Sequence, residues 1–256
     1  MMSYQHIRSE LADGVGTIIL NRPSVNILNI EMMEEINGAL RDFKEEKGLK
    51  VLVFRAEGKA FSAGVDVGEH LGDMVERMIE AFHGMFRLMD ETQAPSVAVV
   101  NGSALGGGCE LALYCDMVLA TEKSTFGQPE IMVGVFPPIA ALIFPRIIGR
   151  KKAMELILSG KTIGAREALE MGLINGIISE DTLEEEVKEF IDQFARHSAV
   201  VLRLTKKGAL EGLCDDVEGG LKRIERIYLE ELMRTEDATE GLKSFLEKRK
   251  PVWKDR

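Results

Sequence analysis

No stretch of this chain stays apolar for the roughly 18 residues that a membrane-spanning helix needs. Its N-terminus also lacks the basic-then-apolar order of a secretory signal. Both absences point to a soluble protein of the cytoplasm. Cysteine is scarce: Cys109, Cys115 and Cys214 are an odd number with no CxxC pair, a pattern of reduced thiols rather than a disulfide framework. Basic charge is in deficit, 32 Lys and Arg against 42 Asp and Glu, for a net −10. That excludes a general nucleic-acid binder, which carries a basic face, but not a polyanionic small ligand met by a local basic patch. His6, His70, His83 and His197 stand isolated, so a metal site has no ligand cluster to rest on. Missing too are the GxSxG and Ser/His/Asp orders of hydrolases, the Gly-Lys-Ser/Thr ending of a phosphate-binding loop, and any dinucleotide fingerprint. No low-complexity segment, long linker or fixed-period repeat stands out.

What the 256 residues do have is apolar content, 45%, enough for a sizeable core. Tyr4 to Arg8 and Val15 to Leu20 read as strands around an Asp13-Gly14 hairpin turn. Helical spacing runs from Glu31 to Phe43 and again, rich in methionine, from Val67 to Met89. Val51 to Phe54, Ser96 to Val100 and Met117 to Ala120 read as buried strands, so an α/β core with a covered sheet is expected. Beyond Arg150 the pattern turns helical, at Ala165 to Met171, Leu183 to Phe194, Val200 to Leu213, Val217 to Leu232 and Ala238 to Arg249. Apolar stripes on these helices must pack on the core or on another subunit.

Two segments carry chemistry. Asn101 to Glu110 holds three consecutive glycines, Gly106, Gly107 and Gly108, opening a helical pattern; Phe126-Gly127-Gln128-Pro129-Glu130 ends on a second acid. Backbone without side chains can approach a ligand closely, and a helix start aims N–H groups at negative charge. The loop Ala60 to Asp66, small-residued around Gly64, could supply one further N–H beside the glycine turn. Two donors on one oxygen and two carboxylates suit the movement of a proton and a water while an oxyanion is held. Either loop alone reads equally well as a tight turn, Glu110 alone as a helix-start acid, and the Met74 to Met89 stretch as packing or as acyl-pocket lining.

Taken in order, Leu20-Asn21-Arg22-Pro23, Ala60 to Asp66, Asn101 to Glu110, Cys115-Asp116, Phe126 to Glu130, Gly134, Ala165 to Leu173 and Lys248-Arg249-Lys250-Pro251 resemble the crotonase (enoyl-CoA hydratase/isomerase) superfamily over essentially the whole chain. The resemblance implies a crotonase-type ββα spiral core over residues 1–195. It also implies a helical C-terminal region, residues 196–256, that trimerises, with two trimers forming a hexamer. It implies N–H donors at Val65 and Gly107, with Gly64, Asp66 and Gly106 in the same substrate-holding loops, and catalytic glutamates at Glu110 and Glu130, a pair that favours hydration. Ala63 matches a position meeting the adenine of CoA. Arg22, Ser24 and Val25 fall where the family grips pantetheine and phosphates, helped by Lys248 of a neighbouring subunit. No cofactor is implied, CoA being part of the substrate.

Two departures stand out. Ser24 stands where the family often has lysine, in a turn one residue shorter, which shifts the expected phosphate contacts to Arg22 and Lys248. Pro138 stands where glycine is usual, and the apolar run Gly134 to Leu142 around it implies a reshaped acyl pocket. With Pro23 to Asn29 these resemble the hydratases of cyclohexa-1,5-diene-1-carbonyl-CoA in anaerobic benzoyl-CoA degradation. A generic short-chain hydratase, an isomerase or ring-opening hydrolase on the same scaffold, and a silent acyl-CoA-binding subunit remain alternatives.

Overall fold

The computed structural model describes residues 4–211, 219 and 226–256, without the side chains of residues 245 and 246. Its core is laid down by a strand–strand–helix unit used three times, each pass adding one strand to each of two sheets. β3 (Val51–Ala56) is followed by β4 (Ala60–Ser62) and, after a 3-10 turn at Val67–His70, by α2 (Met74–Thr92). β5 (Ser96–Val100) is followed by β6 (Ser103–Leu105) and α3 (Gly107–Tyr114). β7 (Met117–Thr121) is followed by β8 (Thr125–Gly127), a 3-10 turn at Pro129–Val133 and α4 (Pro138–Ile147).

The larger sheet has the order β1-β2-β3-β5-β7-β10, with β1 (Ile7–Ala12), β2 (Val15–Leu20) and β10 (Gly176–Ile178); only the β1–β2 hairpin at its edge is antiparallel. The smaller sheet is β4-β6-β8-β9, closed by β9 (Thr162–Gly164) antiparallel to β8. Both faces of the larger sheet are covered, which is why β3 and β5 are unbroken apolar runs. Leu52 and Phe54 point into the main core with α1 (Ile30–Glu45), while Val51, Val53, Val97 and Val99 meet Val187 and Ile191 of α7 (Leu183–Ala195).

The sequence places the hairpin strand β1 too early, at Tyr4 to Arg8, and fuses the 3-10 turn at Val67 with α2. It reads β4 as part of a loop and leaves out β6, β8, β9 and β10; all five are three residues long, too short for a period to show. It also leaves out α4 and α5 (Gly149–Ser159). α6 (Ala165–Met171) falls where expected, stopped by Gly172 in the left-handed region at φ 79°. In α2, Met78, Met85 and Met89 are buried in the core, so packing accounts for most of its methionines; Met74 is exposed.

Of the C-terminal helices, α8 (Ala199–Glu211) docks on the chain's own core through two basic residues. Arg203 Nη1 donates to Lys47 O at 2.8 Å and Leu49 O at 3.2 Å, and Lys206 Nζ donates to Asp116 Oδ2 at 2.7 Å and Ala94 O at 3.1 Å. α9 (Glu236–Leu246) follows, and its buried Asp237 accepts from Ser198 Oγ and from the tail amides of Lys254 and Asp255. Half of the expected Val217 to Leu232 helix, and Cys214, lie outside the described residues. No helix among the described residues is long and apolar enough to cross a membrane.

Candidate active site

Strand β4 runs between two neighbours, and that placement builds the site. On one side β4 pairs with β6, carrying its outgoing loop towards the glycine turn at the start of α3. On the other side lies the loop 22–28, strapped on by backbone bonds: Ala63 N to Val25 O at 2.9 Å, Leu28 N to Gly64 O at 2.9 Å and Asp66 N to Leu28 O at 3.0 Å. Because the Leu28 pairing uses the carbonyl of Gly64 and the amide of Asp66, the N–H of Val65 itself points away from that loop. Gly107 opens α3, and the first N–H of a helix has no intrahelical acceptor.

These two peptides abut. A Cβ added at Gly64 would stand 3.7 Å from Gly107 N, and one added at Gly107 would stand 2.6 Å from Val65 Cγ2. Gly106, at φ 51°, ψ −132°, makes a bend that side-chained residues avoid, and a Cβ there would meet Glu130 Oε1 at 2.8 Å. Gly106 is thus required by its backbone bend, Gly107 by contact with Val65 and Phe82, and Gly108 by contact with Ser62.

The two glutamates come together from different elements. Glu110 projects from the first turn of α3, is 1% exposed, and its Oε1 accepts from Ile139 N at 2.7 Å and Ala140 N at 2.8 Å. Burial pushes its carboxyl up to about 8; the charge of Glu130 adds to the rise, and the two amide bonds oppose it. Glu130 sits on the 3-10 turn, half-buried, and burial pushes it up to about 7. Two acids that titrate near neutrality and feel each other share protons as a pair.

The remaining expected residues distribute unevenly. Ser24, Val25 and Ala63 gather along one rim, with Ser24 and Ala63 exposed. Arg22 Nη1 donates inward to Ile27 O at 3.1 Å and so braces the strap. Asp66 caps the 3-10 turn after it, accepting from Gly68 N at 2.9 Å. Pro138 is the first residue of α4. The structure does not bring Lys248 into this group; it lies exposed in the turn after α9.

Three further contributors escape the sequence reading. Asn26, buried in the strap, donates from Nδ2 to Glu57 O at 2.8 Å and Ala60 O at 2.9 Å, while its Oδ1 accepts from Arg22 N at 2.8 Å. Buried Gln128, with its amide nitrogen turned to donate, stands 3.2 Å from both oxygens of Glu130. The amides of Ile139 and Ala140 were signalled only by Pro137-Pro138, a helix-start mark.

A spiral of ββα units presenting two acids beside two abutting amides defines the crotonase class. The sequence profile described as Enoyl-CoA hydratase/isomerase matches residues 10–256. A protein of Rhizobium meliloti (strain 1021) named "Probable enoyl-CoA hydratase" is 38% identical over 100% of both chains. The cyclohexa-1,5-dienecarbonyl-CoA hydratase of Thauera aromatica is 36% identical over 93% of this chain and 92% of that one. The crystal structure of an enoyl-CoA hydratase from Bacillus anthracis superposes with a TM-score of 0.92 at 33% identity, covering 98% of this chain and 100% of that one. The chain belongs to the enoyl-CoA hydratase/isomerase family, and with it to the enoyl-CoA hydratase-type enzymes.

Proposed function

We propose that the protein adds water to an α,β-unsaturated acyl-CoA, with Val65 N–H and Gly107 N–H holding the thioester oxygen as it becomes enolate-like. The observation that carries this reading is the convergence of a buried and a half-buried carboxylate, raised to about 8 and about 7, beside two loops in which the amides of Val65 and Gly107 are not taken up by the fold. Donors of this kind each contribute about 2.7–4 kcal/mol of transition-state stabilisation. Together the pair positions and deprotonates the water and delivers a proton to carbon, Glu110 serving mainly the first task and Glu130 mainly the second. The pair works while it holds one proton, since two protons leave no base and none leaves no acid. CoA belongs to the substrate, the thioester acidifies the α-carbon, and no other cofactor takes part. The rim of Ser24, Val25 and Ala63 receives the nucleotide end.

The substrate we favour is cyclohexa-1,5-diene-1-carbonyl-CoA, converted to 6-hydroxycyclohex-1-ene-1-carbonyl-CoA. Supporting it are the Thauera relative, the Pro138 departure and a wall beside Glu130 that is apolar and open, with Met132, Val133, Val135 and Phe136 exposed. Hydroxide attack on the ring carbon β to the thioester gives a dienolate whose charge rests on the thioester oxygen. Protonation at the far end of the diene then leaves the ring double bond of the product, so the proton donor must reach further than in a straight chain. A generic short-chain hydratase is the second reading, favoured by the higher identity to the Rhizobium protein.

Assembly as two trimers in the cytoplasm completes the proposal; exposed Tyr228, Leu229, Met233 and Leu242 on the C-terminal segments support an interface there. The deciding experiment offers crotonyl-CoA and the cyclic dienoyl-CoA side by side and identifies products by mass. Water incorporation without loss of CoA is the expected outcome, with the cyclic ester turned over faster. Preference for crotonyl-CoA sinks the cyclic assignment alone; isomerised or CoA-free products sink the hydratase reading.

A further inference from the structure

We infer that Pro138 is a positioning residue for Glu110, acting through the first turn of α4, and not only a wall of the acyl pocket. This rests on the hydratase reading for its kinetic consequence, though not for its structural one. The chain leaves Glu130 through a 3-10 turn that ends on Gly134, φ 83°, and Val135 N returns to Glu130 O at 3.1 Å. It then enters α4 through Pro137 and Pro138, whose next two amides are the ones bound to Glu110 Oε1. One segment, residues 130–140, therefore carries one acid at its start and grips the other at its end.

The two prolines make the junction stiff. Pro137, the cap of α4, has φ −79° and ψ 107°. A proline ring fixes φ at each of the two positions, and the ring of Pro138 also forces its predecessor into extended ψ. Pro138 needs no amide partner because the first helical N–H has none within the helix. The third amide of the turn, Ala140 N, and the second, Ile139 N, both go to the same carboxylate oxygen. The helix start is thereby committed to Oε1, and Oε2 is the oxygen left for the water. Glu110 lies 1% exposed, and the two amides are the bonds that favour its charged form against burial.

The experiment is Pro138→Gly, with Pro138→Ala as a second variant that keeps more helix character. Freed φ at 138 and freed ψ at 137 should let the Ile139 and Ala140 amides drift from Oε1. We expect kcat to fall about 10- to 100-fold, the scale of a small misplacement of a reacting group, with KM little changed. Since those bonds lower the Glu110 pKa, their loss must raise it; Glu110 is already the later of the pair to lose its proton, so the alkaline limb of the kcat–pH profile moves to higher pH. Infrared titration of the Glu110 carboxyl, with Glu110→Gln as the blank, reads the same shift whether or not a given ester is turned over. A variant that changes KM or acyl preference while the carboxyl titrates as in the parent would overturn the positioning role and restore Pro138 to the pocket wall. An unshifted carboxyl in both variants would do so as well. If the carboxyl shifts but no acyl-CoA is hydrated, the positioning stands and the hydratase reading falls.

Discussion

Glu110 and Glu130 are chemically the same side chain in two unlike settings. Glu110 stands on α3, closed in by the core, with one oxygen fixed by two amides of α4. Glu130 stands on a short 3-10 turn, half-buried, flanked by exposed Ile131, Met132 and Val133, with the Gln128 amide donating to its oxygens and no room for a Cβ at Gly106. The first is held by backbone bonds, the second by one side-chain amide and by crowding. Changes around Glu110 therefore test how precisely an acid is aimed, and changes around Glu130 test how much room it is given.

The largest effect expected is from the acids themselves. Glu110→Gln and Glu130→Gln should each lower hydration about 10²–10⁴-fold, the usual worth of a general acid or base, while CoA-ester binding measured by calorimetry survives. Near-normal turnover in either would end the comparison, because that glutamate would then be scenery. Next comes Gly106→Ala, whose methyl would stand 2.8 Å from Glu130 Oε1. It should cut kcat about 10- to 100-fold by crowding Glu130 and by straining the bend that places the Gly107 N–H. Unchanged kcat with a circular dichroism spectrum like the parent's would show that Glu130 has more freedom than the crowding allows.

The smallest effect is on stability, and it sharpens the contrast by pH. A carboxyl whose pKa rises from 4.5 to about 8 on folding holds its proton more tightly in the native state. Its contribution is fully present below 4.5 and is lost as pH climbs through about 8. Glu110→Gln, which cannot ionise, should escape that loss. Its Tm relative to the parent should rise by a few degrees between about pH 5 and pH 8, and more than that of Glu130→Gln, whose carboxyl reaches only about 7. A constant difference across that range would mean that Glu110 pays no desolvation cost.

The sequence made legible those parts of this site that are carried by residue type. Three glycines before an acid, a small-residue loop after a strand and a proline before the second acid are each visible because no other residue would serve. Long buried strands such as β5 are visible too, since both faces need apolar side chains. Most of what stayed hidden is carried by backbone, the side chains of Asn26 and Gln128 excepted. β4, β6 and β8 are too short to set a period, yet their pairing places the donor loop beside α3. The amides that hold Glu110 belong to Ile139 and Ala140, whose side chains say nothing of that task. Pro138, taken from sequence as a change in pocket lining, proves to begin a helix that the sequence did not show. Arg22, expected to face solvent phosphate, spends one of its donors on Ile27 O.

Asn26 has a consequence for anyone who would rebuild this protein. Its amide clasps Glu57 and Ala60, its oxygen clasps Arg22, and its carbonyl takes the Ser62 hydroxyl at 2.7 Å. Residues 22–28 and 57–66 are therefore a single exchangeable cassette with Asn26 as its latch. Transplanting either half alone into a relative would break the three Asn26 hydrogen bonds that cross between them and leave the other half without its template, so the two must be moved together.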